Sequence, residues 1–215
     1  KQPRKNDRFY YNRDTMESRY GLAEKHEFNY FPSSANQTPI KWLLRVAFYE
    51  TLDFIIEFTN KAVESYSQSD YGKEDVVKIT LHINGKEVTQ YLSWAIWSMY
   101  RGNGTPVVPS VLQSIHMALE KTLLEFSQIL KSEILQNILL RILIQSKSAS
   151  LTSVVCSVVL ANPDKFYDIA LILFKTIELF HYDTMRCTNE FQARSLYLIG
   201  YGINKIKDIL YTDER

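Results

Sequence analysis

Two stretches of this chain carry the same apolar pattern about 115 positions apart, and that repetition constrains the fold more than any other feature. Residues 38–60 read TPIKWLLRVAFYETLDFIIEFTN, and residues 153–175 read SVVCSVVLANPDKFYDIALILFK. Ile40 falls on Val155, Leu43 on Val158, Leu44 on Val159 and Val46 on Ala161. Past the corner, Asp53 falls on Asp168, Ile56 on Leu171 and Phe58 on Leu173. Each copy reads as a short apolar helix, a tight corner and a longer apolar helix. Such a unit has two apolar faces and must stack on neighbours to bury them. The pattern predicts a mainly α protein of stacked antiparallel helical hairpins, a HEAT-like solenoid, with contacts chiefly between successive helices.

The rest of the chain fits around these copies. Residues 1–37 lack apolar periodicity and are rich in charge, Tyr and Phe. They read as an extended arm with one short helix near 14–25, pinned by its aromatics to a helical body over 38–215. Thr38 is placed to cap the first helix, with Pro39 at its first position. The match to the second copy predicts a break near Ala47–Tyr49 and a second helix to about Ser67. One continuous helix is the alternative, because no Gly or Pro lies between 40 and 67. Over 76–92 the period changes to alternation around Asn84-Gly85, which predicts one small β-hairpin near 77–91. Ser93 is placed to cap WAIWSMY, which Gly102-Asn103-Gly104 ends. Amphipathic helices follow near 109–126 and 128–145. In the second copy Asn162 reads as an N-cap, Pro163 as the first helical residue and Asp164 as its first-turn acid. A last helix is expected over 189–211.

Composition narrows the functional classes. A net charge of +1 gives no bulk pull toward DNA or an anionic membrane. Seven Gly and six Pro are too few for a sandwich of many tight turns. Cys156 and Cys187 read as free thiols of a reducing cytosol. No stretch approaches the roughly 18–20 apolar residues of a membrane span. The sequence opens on Lys1 with the basic run KQPRKNDR and reads as a piece of a longer, cytoplasmic chain or as a processed product.

Candidates for chemistry are few. Of His26, His82, His116 and His181, only His116 has a helical partner, Glu120, four residues on; a zinc protease motif needs a second His there, so a surface His–Glu pair or a buried His with one hydrogen bond is expected. His82 is expected to face solvent. Cys156 with His181 is a nucleophile–base pair by type, but an apolar helix does not lower a thiol pKa. Asp53 and Asp168 occupy equivalent places in the two copies, which favours a structural role, with Arg45 and Arg186 as partners by composition. GNG at 102–104 lacks the rest of a phosphate loop, and there is no zinc-spaced Cys/His cluster. No catalytic, cofactor or metal residue is assigned. Lys1, Arg4, Lys5, Arg8 and Arg13 interleave with Phe9, Tyr10 and Tyr11, a mixture that also suits nucleic acid.

The strings SSANQTPIKWLL, LDFIIEFTNKAVES, LQSIHMALEK and LTSVVCSVVLANPDKF together resemble the helical region of large bacterial P-loop ATPases of the STAND type, some of which act in antiphage defence. The resemblance spans roughly residues 33–187. It implies a sensor or scaffold module beside an ATPase core; with no Walker sequence here, no catalytic residue carries over. The expectation is a non-catalytic module that meets a protein partner, or flanking domains of its own chain, through Phe9, Tyr10, Tyr11, Tyr30, Phe31 and the exposed hairpin. The alternatives are a nucleic-acid-binding domain using the basic, aromatic arm, and a hydrolase built from dispersed Asp53, His116 and Glu120.

Overall fold

The computed structural model describes residues 15–23, 30, 31, 33–101 and 108–199, with the backbone alone at 101 and 189–199. Helices α1 (Met16–Arg19), α2 (Ile40–Val46), α3 (Phe48–Gln68) and α4 (Asp70–Asp75) lead into strands β1 (Val77–Ile83) and β2 (Lys86–Leu92). Helix α5 (Trp94–Trp97) and a 3-10 turn (Met99–Arg101) follow. Helices α6 (Ser110–Ile129), α7 (Ser132–Gln145), α8 (Ala149–Ala161), α9 (Tyr167–Phe174) and α10 (Ile177–Ile199) complete a mainly helical fold with one two-stranded antiparallel sheet.

The expected break between the first two long helices falls at one residue, Ala47, which leaves the helical region at φ −145°, ψ 68°. Its carbonyl accepts from both the backbone N–H and the hydroxyl of Thr51, at 3.0 and 2.6 Å, and so starts α3. Its equivalent, Asn162, ends α8 with nearly the same dihedrals, φ −142° and ψ 58°. Asn162 is therefore not the expected N-cap: its amide donates to the carbonyl of Val158 and the hydroxyl of Ser127, both at 3.2 Å. Pro163 stands in the turn that follows, and α9 opens only at Tyr167. Thr38 does not cap either; α2 starts from the Pro39 carbonyl, which accepts from Trp42 and Leu43. The last described helix begins at Ile177, well before 189.

Ser93 caps α5 as expected, accepting from the Ile96 N–H. Asn84 and Gly85 take φ values of 50° and 78°, the positive angles of a type I′ turn. In β1 the buried Ile79, Leu81 and Ile83 alternate with exposed Lys78, Thr80 and His82. Gln90 of β2 also points inward and ties the hairpin to the body. Its amide donates to the carbonyls of Leu143 and Ser146, and its oxygen accepts from the Thr152 hydroxyl at 2.6 Å.

Side-chain bonds set the directions of the helices. Arg45 meets Glu125 and Lys41 lies against Lys121, so α2 and α6 run parallel. His116 meets Ser150, Glu120 meets Ser157 and Ser127 meets Asn162, so α6 and α8 are parallel too. Asp53 meets Arg141 and Asn60 meets Gln145, so α3 runs parallel to α7. Helix α6 thus touches both α2 and α8, and the chain passes from these three helices into α3, α7 and α9. Helix α8 is apolar on nearly every side, with Leu151, Val154, Val155 and Val158 fully buried, which is the character of a core helix. It touches α5, α6, α7, α9 and β2, so its contacts extend well beyond its neighbours in sequence.

Candidate interaction surface

Because α2, α6 and α8 run the same way, their last residues lie at one end of the molecule. There the chain passes from each helix to the next, α3, α7 or α9. The corners are knitted from inside. The Phe48 ring packs on Phe126 with centroids 5.1 Å apart, and the Lys165 ammonium donates to the Ser127 carbonyl at 2.7 Å. Outside, each corner leaves two large apolar side chains in solvent: Val46 and Tyr49, Ile129 and Ile134, Leu160 and Tyr167. These six are 45–80% exposed. Packed helices stand about 8–10 Å apart, so three corners make a ridge roughly 20 Å long. Trp42 and Leu43 extend it along the open side of α2, with the Arg45 guanidinium 5.9 Å from the Trp42 ring centre. Single exposed apolar residues are ordinary, whereas a row of them marks an interaction surface.

The residues singled out from sequence fall elsewhere. Phe9, Tyr10, Tyr11 and His26 lie outside the described residues. Phe31 is exposed and Tyr30 half-buried. The described part of the arm is pinned by Tyr20, which stacks on Tyr66 at 4.5 Å, and by Arg19, whose guanidinium lies 3.5 Å from the Tyr71 ring centre. Asp53 does not pair with Arg45; it accepts two bonds from Arg141 at 2.6 and 2.8 Å. Asp168 accepts from Gln136 at 3.5 Å rather than pairing with Arg186, which bonds Asp183. Both repeat carboxylates therefore reach α7, Asp53 from α3 and Asp168 from α9. Asp53 and Arg141 also line an open depression of about 450 Å³ with Asn60, Glu64 and Lys147. Asn60 clamps the turn after α7 there: its amide donates to the Gln145 carbonyl, and its oxygen accepts from the Lys147 N–H.

His116 is not a surface partner of Glu120. It is fully buried, and Glu120 instead accepts a short hydrogen bond from Ser157. The Leu112 carbonyl, 2.8 Å from Nδ1, can only accept, so Nδ1 carries the proton. Nε2 must then accept from the Ser150 hydroxyl at 2.9 Å, and Ser148 donates to Ser150 at 2.7 Å. This is a directed chain of hydroxyls ending on a neutral imidazole, and Ser148, Ser150 and His116 are all sealed from solvent. Burial lowers the His116 pKa to about 4, against the raising effect of the Leu112 carbonyl. Asp53, His116 and Glu120 have separate partners and do not converge. Sequence spacing did not reveal Ser150, which lies 34 residues from His116.

Cys156 is partly buried and Cys187 exposed, and neither is in a disulfide. Burial, then the Asp183 carboxylate, pushes the Cys156 thiol up to about 12, away from thiolate chemistry. His181 is exposed and meets Tyr182 edge-on. His82 faces solvent as expected, 3.8 Å from Glu87. Among the described residues, no group of three or more His, Cys, Asp and Glu is placed to hold a metal ion, and no helix is long and apolar enough to cross a membrane. No protein-family model matches this chain, and no curated protein matches it significantly.

Proposed function

We propose that this chain is a non-catalytic protein-interaction module of a larger intracellular protein, and that its partner docks on the corner ridge. One observation carries this reading: three successive corners each hold two large apolar side chains in solvent at the same end of the molecule. Such a row offers anchors to an apolar segment of a partner, and anchors of this kind dominate binding energy. The pairs α2–α3, α6–α7 and α8–α9 fit three units of a HEAT-like stack, an architecture that serves mainly as a binding platform. The resemblance to the helical region of bacterial STAND ATPases supports a role as sensor or scaffold beside a nucleotide-driven core, in a cytoplasmic defence setting.

A photo-crosslinking amino acid at Val46, Ile129 or Tyr167 of the full-length parent tests the ridge. Crosslinks to one protein, or to one domain of the parent, are expected from all three sites and not from Lys78 on the hairpin. Crosslinks from Lys78 alone would overturn the ridge. A P-loop motif in the parent chain would support the ATPase setting, and its absence from the complete gene would remove it.

A further inference from the structure

The β-hairpin has one edge that the fold uses and one that it leaves open. The N–H of Tyr91 in β2 donates away from the sheet, to the Lys147 carbonyl at 2.8 Å. Tyr91 stands opposite Lys78. Opposite residues of an antiparallel pair alternate between bonded and non-bonded pairs. Lys78–Tyr91 is therefore a non-bonded pair, and so are Thr80–Thr89 and His82–Glu87. The backbone N–H and C=O of Lys78, Thr80 and His82 thus point away from β2. Among the described residues no hydrogen bond reaches these backbone groups, and all three residues are exposed. An open edge of this kind is a template for a further strand.

We propose that β1 pairs antiparallel with β1 of a second copy about a two-fold axis at Thr80, joining two hairpins into one four-stranded sheet. This register puts Thr80 opposite itself and Lys78 opposite His82 of the second copy. Lys78, Thr80 and His82 each exchange N–H and C=O with the residue opposite. The side chains match on both faces. On the outer face, Thr89 and Thr80 of one copy continue into Thr80 and Thr89 of the other, and paired threonines stabilise a sheet. Lys78 faces not another lysine but a histidine that lies 3.8 Å from its own Glu87, so unlike charges approach. On the inner face, Ile79 falls beside Leu81 of the second copy and Val77 beside Ile83. Val77 is 47% exposed, the one apolar residue of β1 that a single copy leaves in solvent. Matching about one residue is what an isologous interface requires. The contact is with a second copy and is separate from the partner on the corner ridge.

The test is sedimentation of the full chain over a concentration series, with a cysteine crosslink to fix the register. The parent is expected to pass from monomer to dimer as concentration rises. Thr80→Lys sets like charges opposite each other on the axis and should stay monomeric, whereas Thr80→Val should dimerise like the parent. In a Cys187→Ser background, Thr80→Cys should form a disulfide between copies on oxidation. The Cα atoms of a bonded pair stand about 5.5 Å apart, within disulfide reach. Lys78→Cys should form none, because the two copies of residue 78 lie on opposite sides of the axis. A parent that stays monomeric throughout, or equal crosslinking at Thr80→Cys and Lys78→Cys, would overturn the pairing. So would a dimer that survives Thr80→Lys; its loss on changing Val46, Ile129 and Leu160 to Lys would assign the self-association to the ridge instead.

Discussion

His116 shows how much a single side chain's surroundings decide. Its folded pKa of about 4 lies below the ordinary histidine value of 6.5. Between these values the unfolded chain binds the proton and the folded chain does not, so stability rises with pH across that window. The contribution is fully present above pH 6.5 and is lost as the pH falls toward 4, about 3 kcal/mol in all. Urea unfolding at pH 7 and pH 4.5 should show the loss, and His116→Gln should show markedly less of it. A variant losing as much stability as the parent would assign the acid sensitivity to carboxylates instead. His116→Ala at pH 7 is expected to cost about 3 kcal/mol, because it opens a cavity and takes the acceptor from the buried Ser150 hydroxyl. The sequence shows His116 on a helix but not its environment. The i, i+4 spacing to Glu120 is real, yet the two side chains find Ser150 and Ser157 on α8, contacts that only tertiary packing creates.

At the scale of elements, what is local is legible. The Asn84-Gly85 turn and the Ser93 cap depend on neighbouring residues, and both form as their residue types require. The corner at Ala47 carries no turn residue and shows only through its likeness to the second copy. The Asn162-Pro163-Asp164 triplet misleads, because the same residues that start helices also make turns. Here the Asn162 amide reaches back to α6 and α8, and the turn wins. Long-range docking is least visible. Helix α4 folds back so closely on the end of α3 that a Cβ on Gly72 would stand 1.8 Å from the Tyr66 carbonyl oxygen. Gly72→Ala is therefore expected to push α4 away and to weaken the 3.0 Å bond from the Tyr66 hydroxyl to Asp75. The cost should be about 1–3 kcal/mol by urea unfolding, with hydrogen exchange rising over 66–75 and not in α8. Gln90→Leu removes a partner from two buried carbonyls and should cost a comparable 2–3 kcal/mol, loosening the hairpin first.

Across the whole molecule the two similar stretches flank a third pair of successive helices, α6 and α7, which accounts for part of their separation in sequence; the segment from α4 to the 3-10 turn accounts for most of the rest. The middle pair lacks their apolar pattern because its central place makes other demands. Helix α6 is covered on both sides and buries polar residues such as Ser114, His116 and Thr122. The ridge was not legible from sequence at all. Val46, Ile129 and Leu160 read as core-type residues, and only the parallel order of the three helices places them together at one end. That placement makes a prediction in which stability and binding separate. Changing Val46, Ile129 and Leu160 together to Lys should leave unfolding within about 0.5 kcal/mol per site, because exposed side chains contribute little to the fold. Phe48→Ala, just inside the same corner and packed on Phe126, should cost about 2 kcal/mol or more. The triple variant should also lose partner binding, while a triple Lys change at exposed Thr80, Thr89 and Gln68 should retain it. If the ridge variant unfolds as easily as Phe48→Ala, these residues belong to the core rather than to a docking surface. If it stays folded and still binds its partner, the ridge is not where the partner sits.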